Sequence, residues 1–220
     1  MFVGHLAVAL GAKRSAPKVN LAWLVAAVCT LDLVWPILVI AGVEKVSVVP
    51  GATAFNPLVF DSYPWSHSLL MACVWGAVLY AIARKRHIGR PDARLLFILV
   101  LSHWLLDFVS HAPDMPLWPT ANSPKFGLGL WNSIPATFAV EGALWLGAIV
   151  IYLSGRPLRG GKSKLAFWSF VGVSTLLWAA GPFSPPPPNA TIIGWMALIG
   201  WVMIPWAAAA DKRAPSGRHT

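Results

Sequence analysis

The sequence predicts an all-α, polytopic membrane helical bundle. Of its 220 residues, 57% are hydrophobic and only 11% are charged, about half the charged fraction of a typical soluble domain. Apolar runs of about 20 residues, long enough to cross a bilayer, recur six times and predict six transmembrane helices. Residues 1–210 then form a single integral membrane domain, and the polar tail 211–220 is expected to be disordered. The predicted spans are 21–43, 65–83, 94–111, 134–154, 164–182 and 190–210.

The distribution of basic residues predicts the orientation of this bundle. Fifteen of the 17 lysines and arginines lie on one side of the predicted membrane, whereas Lys45 and Lys125 lie on the other. Cytoplasmic loops carry the excess of positive charge, so both termini and the tail are expected in the cytoplasm. The loops 44–64, 112–133 and 183–189 are then external. The net charge of +9 belongs to these short cytoplasmic clusters, and no nucleic-acid partner is expected.

The N-terminal run Met1–Ala12 is apolar but too short to span. It predicts a short helix that either lies at the interface or dips into the membrane as a half-helix. Its positive charges follow the apolar run, whereas those of a signal peptide precede it. A signal peptide is therefore not expected.

The third span carries the most informative pattern, because His103, Asp107 and His111 stand four residues apart. On a helix these positions share one face. Ionisable side chains inside a membrane are costly unless they face the protein interior and have a partner. Imidazole and carboxylate at positions i and i+4 also form a bidentate clip for a metal ion.

Other spans bring ionisable residues to similar depths. At helical rise, Asp32 of the first span lies about 17 Å above the cytoplasmic edge, His67 of the second about 27 Å, and Glu141 of the fourth about 20 Å. No lysine or arginine lies in a span interior to pair with them. Buried carboxylates without basic partners need protons, waters or a metal. A metal site, a proton relay or transport pathway, and purely structural polar contacts are the three interpretations.

Several short motifs resemble a known family. Gly4-His5, Asp32 in Leu31-Asp32-Leu33, Ser66-His67-Ser68 and His103-Trp-Leu-Leu-Asp107 occur in the order and spacing of the YdjM-like family over residues 1–120. That family is described as inner-membrane metal-dependent hydrolases, and it is distantly similar to the zinc-dependent phospholipase C and single-strand nuclease superfamily. The resemblance implies a bacterial inner-membrane protein with one or two zinc ions. The family's second aspartate in Pro-Asp-x-Asp is Val34 here, and its His-Arg-Gly is replaced by Ser62–Pro64.

The predicted function is therefore a membrane-embedded metal-dependent hydrolase. Its substrate is expected to be a lipid or lipid-linked ester or phosphoester near the outer half of the membrane. Histidine and carboxylate ligands without thiolate suit Zn²⁺, and also Mn²⁺ or Fe²⁺. The predicted ligands are Asp32, His67, His103 and Asp107, with His5 completing a second site, and the predicted general base is His111 or Glu141.

Two alternatives remain open from sequence. The same residues could serve a proton- or metal-coupled transporter, because midplane carboxylates and histidines also relay protons and ions. The missing second aspartate and arginine keep open a non-catalytic membrane scaffold with a vestigial metal site. Membrane lipids are the expected surroundings, and no protein partner is predicted.

Overall fold

The computed structural model of the chain describes residues 1–155, 158 and 160–211. This part is mostly helical, with two small antiparallel strand pairs, β1–β2 and β3–β4, in the connecting segments. The helices are α1 Phe2–Ala12, α2 Leu21–Val28, α3 Thr30–Ile40, α4 Pro64–His67, α5 Leu69–Lys85, α6 Arg90–Ser110, α7 Ile134–Leu153, α8 Gly160–Ala180, α9 Ala190–Ala197 and α10 Gly200–Ala210. The strands are β1 Lys45–Val48, β2 Leu58–Ser62, β3 Met115–Pro116 and β4 Lys125–Phe126.

Four helical segments of the described chain are long and apolar enough to cross a membrane: Arg90–Ser110, Ile134–Leu153, Gly160–Phe183 and Ala190–Ala210. The bent pair α2–α3 makes a fifth if it counts as one span. The helical, membrane-compatible class is thus confirmed. The predicted second span consists of the four-residue α4 and the 17-residue α5. The count of six and the N-in, C-in orientation stay predictions.

The N-terminal helix α1 lies inside the bundle rather than on its surface. It packs against α2, α6 and α7, and Val3, Leu6 and Leu10 are fully or almost fully buried. The Glu141 carboxylate of α7 accepts the Gly4 N–H at 3.3 Å. Because the first N–H groups of a helix lack partners within it, this carboxylate fixes the start of α1. The buried position of α1 is compatible with the inserted half-helix expected as one of the two placements.

The predicted first span is broken rather than continuous. Helices α2 and α3 meet at Cys29 with a bend of 55°. The last carbonyls of a helix lack hydrogen-bond donors within it, and two side chains supply donors here. The Thr30 hydroxyl donates to Ala26 O at 2.7 Å, and His103 Nδ1 lies 2.6 Å from Val28 O. The break therefore brings the start of α3, with Asp32 in its first turn, against α6.

One end of the bundle is held by a buried polar cluster around Asp211. The Lys13 ammonium donates to the Asp211 carboxylate, which also accepts the Leu21 N–H at 2.9 Å and the Tyr152 hydroxyl at 3.0 Å. These contacts bring together the ends of α1, α7 and α10 with the start of α2. The tail predicted to be disordered is 211–220; apart from Asp211, which is buried here, it lies outside the described residues, as do the charges of Arg156 and Arg159.

At the other end, two loops cover the bundle. The first carries the β1–β2 hairpin, and the second carries the β3–β4 pair. The second loop passes so close to the end of α6 that a Cβ at Gly127 would lie 2.0 Å from Ala112 O. The Gly129 N–H donates to His111 O at 2.7 Å. These backbone contacts fix the segment that follows α6.

Candidate metal centre

Asp107 lies at the centre of the buried polar side chains. It projects from α6 and is almost fully buried. Its Oδ2 is 2.9 Å from His103 Nε2 and 3.8 Å from His67 Nε2. Its Oδ1 is 3.0 Å from His5 Nε2 and accepts a hydrogen bond from the Met1 amino group. One carboxylate therefore faces histidines from three different segments.

His67 and His103 each lie close to both Asp32 and Asp107. Asp32 Oδ1 is 3.5 Å from His67 Nε2 and 3.7 Å from His103 Nε2. A tetrahedral ion with bonds of about 2.0–2.1 Å holds its ligand atoms about 3.3–3.4 Å apart. The four separations between a histidine nitrogen and a carboxylate oxygen, 2.9, 3.5, 3.7 and 3.8 Å, scatter around that value. Each histidine is therefore at a ligand-like distance from both carboxylates.

The buried cluster could hold a metal ion in either of two overlapping groups. In each group all ligand atoms lie within 4.8 Å of one another, and His103 belongs to both. The two groups are His5, His103 and Asp107, and Asp32, His67 and His103.

The orientation of His103 is that of a metal ligand. Its Nδ1 donates to Val28 O, which leaves Nε2 as the ring atom facing Asp107. Nε2 is buried and has no hydrogen-bond partner within the described residues, although two carboxylates lie close to it. Metal-binding histidines characteristically fix their other nitrogen on a carbonyl or carboxylate. The broken helix supplies that carbonyl.

His67 is held by a relay that begins at Glu44. Ser66 Oγ lies 2.7 Å from His67 Nδ1 and donates to Glu44 Oε2 at 2.6 Å. Glu44 Oε1 also accepts the N–H groups of Trp65 and Ser66, both at 2.8 Å. Burial raises the pKa of the Glu44 carboxyl, and the hydrogen bonds from Ser66 and Trp65 oppose that shift. The relay points His67 Nε2 towards Asp32 and Asp107.

Replacing Glu44 by Gln should weaken metal binding about 10- to 100-fold, the usual effect of losing an outer-shell partner. The amide nitrogen cannot accept the Ser66 hydroxyl, so the Ser66–His67 contact loses its orientation. Isothermal titration of the metal-free protein with Zn²⁺ measures the change. Asp61→Asn is the matched control, because Asp61 lies away from the relay and, in the described part of the chain, accepts a hydrogen bond from the Ser47 hydroxyl of the same hairpin at 2.6 Å. Equal affinities for the two variants would exclude the relay.

His111 is not on the α6 helix, contrary to the expectation from its spacing. Helix α6 ends at Ser110, and His111 has an extended backbone. Its Nε2 still lies 4.0 Å from Asp107 Oδ1, and its Nδ1 lies 3.1 Å from Asp114 Oδ1. Asp114 also accepts the Tyr63 hydroxyl at 2.5 Å. Burial, with Asp114 beside it, raises the pKa of Tyr63 well above its usual value, so the phenol keeps its proton.

His5 and Glu141 occupy different positions relative to the centre. The His5 ring stacks on the His103 ring with centroids 3.7 Å apart, and the Met1 amino group lies 3.2 Å from His5 Nε2. Glu141 is fully buried, and its Oε1 has no hydrogen-bond partner within the described part of the chain. It belongs to neither group of candidate ligands. Its contact with Gly4 gives it a role in holding α1.

A cavity of about 230 Å³ reaches the cluster at Asp32 and His5. The Asp32 side chain is 47% exposed, whereas those of His67, His103 and Asp107 are at most 4% exposed. His67 and His111 are buried, and the Phe60 and Trp131 rings lie against His111 with centroids 4.7 and 4.4 Å away. Asp32 is the open side of the cluster.

No family model, no curated protein and no solved structure matches this chain.

Sequence reasoning placed Asp32, His67, His103 and Asp107 at similar depths, but it missed the residues that orient them. Asp114, which holds His111, lies in the predicted external loop 112–133 and was not identified as part of the site. The i, i+3 spacing of His111 and Asp114 was an available signal for their pairing. Glu44 stands 22 positions before Ser66, and no local pattern links the two.

Proposed function

We propose that this chain is a membrane-embedded metal-dependent hydrolase of a lipid or lipid-linked ester or phosphoester. Asp32, His67, His103 and Asp107 would hold the ion, with Zn²⁺ the best match to two imidazoles and two carboxylates. The observation that carries the proposal is that His67 Nε2 and His103 Nε2 each lie 2.9–3.8 Å from an oxygen of Asp32 and of Asp107. His5, next to Asp107 Oδ1, would complete a second site if two ions bind.

A bound divalent ion would lower the pKa of a coordinated water and polarise the scissile bond. The protein's own base in this proposal is His111, whose Nε2 faces the centre while Asp114 holds Nδ1. His111 Nε2 takes the proton from the attacking water as its oxygen bonds to carbon or phosphorus. The bond to the leaving oxygen breaks, and His111 returns the proton to that oxygen. Atoms and charge then balance without another reactant.

The resemblance to the YdjM-like family supports the same proposal, including a bacterial inner-membrane location and six spans with both termini inside. The residues that carry it, His5, Asp32, His67, His103 and Asp107, are the ones that the structure brings together. Val34 and Ser62–Pro64 depart from the motifs of that family. A non-catalytic scaffold with a vestigial metal site is therefore the alternative if the tests below find no hydrolysis.

The direct test is the metal content of detergent-purified protein, measured by elemental analysis. We expect about one or two ions per chain, and loss of at least one in His103→Ala, because His103 belongs to both groups of ligands. The control is His87→Asn, since His87 is exposed and has φ of 62°, which asparagine tolerates. A metal-free wild-type protein, after purification without chelators and reconstitution with Zn²⁺, would refute the metal site.

His111→Ala should lower hydrolysis by about 10²- to 10⁴-fold, the usual contribution of a general base, while leaving the bound metal in place. Model substrates with a chromogenic leaving group, p-nitrophenyl esters and bis(p-nitrophenyl) phosphate, give the rates. Glu141→Gln is the comparison, because Glu141 is the other candidate base. If hydrolysis is lost in Glu141→Gln but not in His111→Ala, Glu141 is the general base and His111 is not.

The bend between α2 and α3 favours one alternative, a metal- or proton-coupled transporter. Broken spans frame the ion sites of many secondary transporters, and Asp32 lies in the first turn of α3, just beyond the break. Zn²⁺ uptake into vesicles containing the protein distinguishes the two functions. Flux that is lost in Asp32→Asn, together with no hydrolysis of any model substrate, would establish the transporter.

A further inference from the structure

The cavity that reaches Asp32 has a polar end and apolar walls. Its polar residues are His5, Cys29 and Asp32, and they lie against the metal cluster. The remaining lining comes from α1, α3, α8, α9 and α10. It consists of Phe2, Leu6, Leu33, Trp35, Leu177, Ala197, Ile199, Gly200 and Met203.

The cavity opens between helices rather than through the loops. The exposed members of its lining are Phe2, Leu177 and Ile199, and they mark its mouth. Leu177 and Ile199 belong to two of the segments that are long and apolar enough to span a membrane. The exposed surface of such segments is covered by lipid chains. The mouth therefore faces the hydrocarbon interior of the bilayer.

The lining favours a hydrocarbon chain as the occupant. Among the described residues, no lysine or arginine lines the cavity to neutralise a headgroup phosphate, and desolvating a charged group against apolar walls is costly. A hydrocarbon chain that enters from the bilayer moves from one apolar environment to another, so it pays no such desolvation cost.

We infer that the cavity is a lateral binding site for a fatty acyl chain of a membrane lipid. The chain enters from the bilayer between α1, α8 and α10 and brings the polar end of the lipid to Asp32. This inference rests on the proposed function for its purpose, since it supplies the route by which a lipid substrate reaches the ligands. The binding itself does not depend on a bound metal or on turnover.

Gly200 offers a way to close the site without touching the cluster. A Cβ at Gly200 would lie 3.5 Å from Leu33 Cδ2, an ordinary van der Waals contact. Gly200→Leu therefore fits the backbone while its side chain takes up space in the cavity. Gly172→Leu is the matched control, because Gly172 is an exposed glycine of α8 with open space around its Cβ.

The experiment uses the full chain in phosphatidylcholine nanodiscs that contain a phosphatidylcholine with a diazirine in its acyl chain. After illumination, mass spectrometry maps the crosslinked residues. We expect crosslinks at Leu33 and Met203, at least fivefold weaker in Gly200→Leu and unchanged in Gly172→Leu. Excess unlabelled lipid should suppress them, whereas crosslinks at the exposed Leu146 of α7 should persist in every sample.

Crosslinks confined to Leu146 and similar outer positions, or equal crosslinks at Met203 in the Gly200→Leu and Gly172→Leu variants, would overturn the acyl-chain site. That failure is distinct from failure of the hydrolase proposal. Elemental analysis of the same samples reports the metal site independently. A chain-binding cavity in a protein without metal would leave the inference intact and remove the hydrolase.

Discussion

Asp107→Asn should lose nearly all bound metal while the protein still folds. The asparagine amide has the volume of the carboxylate and can still accept from the Met1 amino group. It carries no charge, however, and it has a single oxygen. That oxygen cannot face both His5 on one side and His103 and His67 on the other. Loss of a charged ligand should lower Zn²⁺ affinity by at least about 10²-fold, which is more than the loss of an outer hydrogen-bond partner such as Glu44.

Zn²⁺ titration with a competing chelator measures this affinity, and circular dichroism with thermal unfolding shows whether the helices remain. Asp92→Asn is the matched control, because Asp92 lies in the first turn of the same helix, far along the chain from the cluster. Full metal stoichiometry and unchanged affinity in Asp107→Asn would show that Asp107 is not a ligand. The His103–Asp107 clip would then be an ordinary buried polar contact.

Lys13→Met should give the largest loss of stability outside the metal centre. Lys13 and Asp211 form an ion pair with both side chains at most 7% exposed. Removing one partner of a buried pair costs about 3–5 kcal/mol, because the remaining buried charge loses a close charge of opposite sign. Methionine keeps the length and apolar character of the lysine stem, so the effect reports the lost ammonium rather than a cavity.

Thermal unfolding in detergent, followed by tryptophan fluorescence, measures the change. Lys18→Met removes an exposed lysine nearby and should alter the free energy of unfolding by less than about 0.5 kcal/mol. Adding Asp211→Asn to Lys13→Met should restore part of the stability, since the amide no longer needs a cation. If Lys13→Met and Lys18→Met unfold at the same temperature, the pair contributes nothing.

The sequence predicted the parts of the centre that follow from helical periodicity. His103 and Asp107 share a face of α6 because their spacing matches the helical repeat, and Asp32 and His67 fall at a comparable depth because span length sets height. The sequence did not predict the break at Cys29, because Leu21–Ile40 is apolar apart from Thr30 and Asp32. The bend depends on hydrogen-bond donors for the freed carbonyls, and one of these donors, His103, lies on another helix.

The same limit explains the loops. His111 looked helical by spacing, but backbone hydrogen bonds from a distant segment hold it in an extended conformation. The partnership of Glu44 with Ser66 joins the residue before β1 to a residue of α4, and the pairing of β1 with β2 brings these two positions together. Long-range contacts of this kind leave no periodic signal in one sequence.

The kink in the first span has a mechanical consequence. In a straight helix the Asp32 N–H would bond to Val28 O, and here His103 Nδ1 lies 2.6 Å from that oxygen instead. A straight span would therefore direct the Asp32 N–H to the same carbonyl oxygen that His103 Nδ1 contacts. The bend leaves this oxygen to His103 and places Asp32 beside the cluster. An ion held by Asp32 and His103 would accordingly favour the bent form of the span.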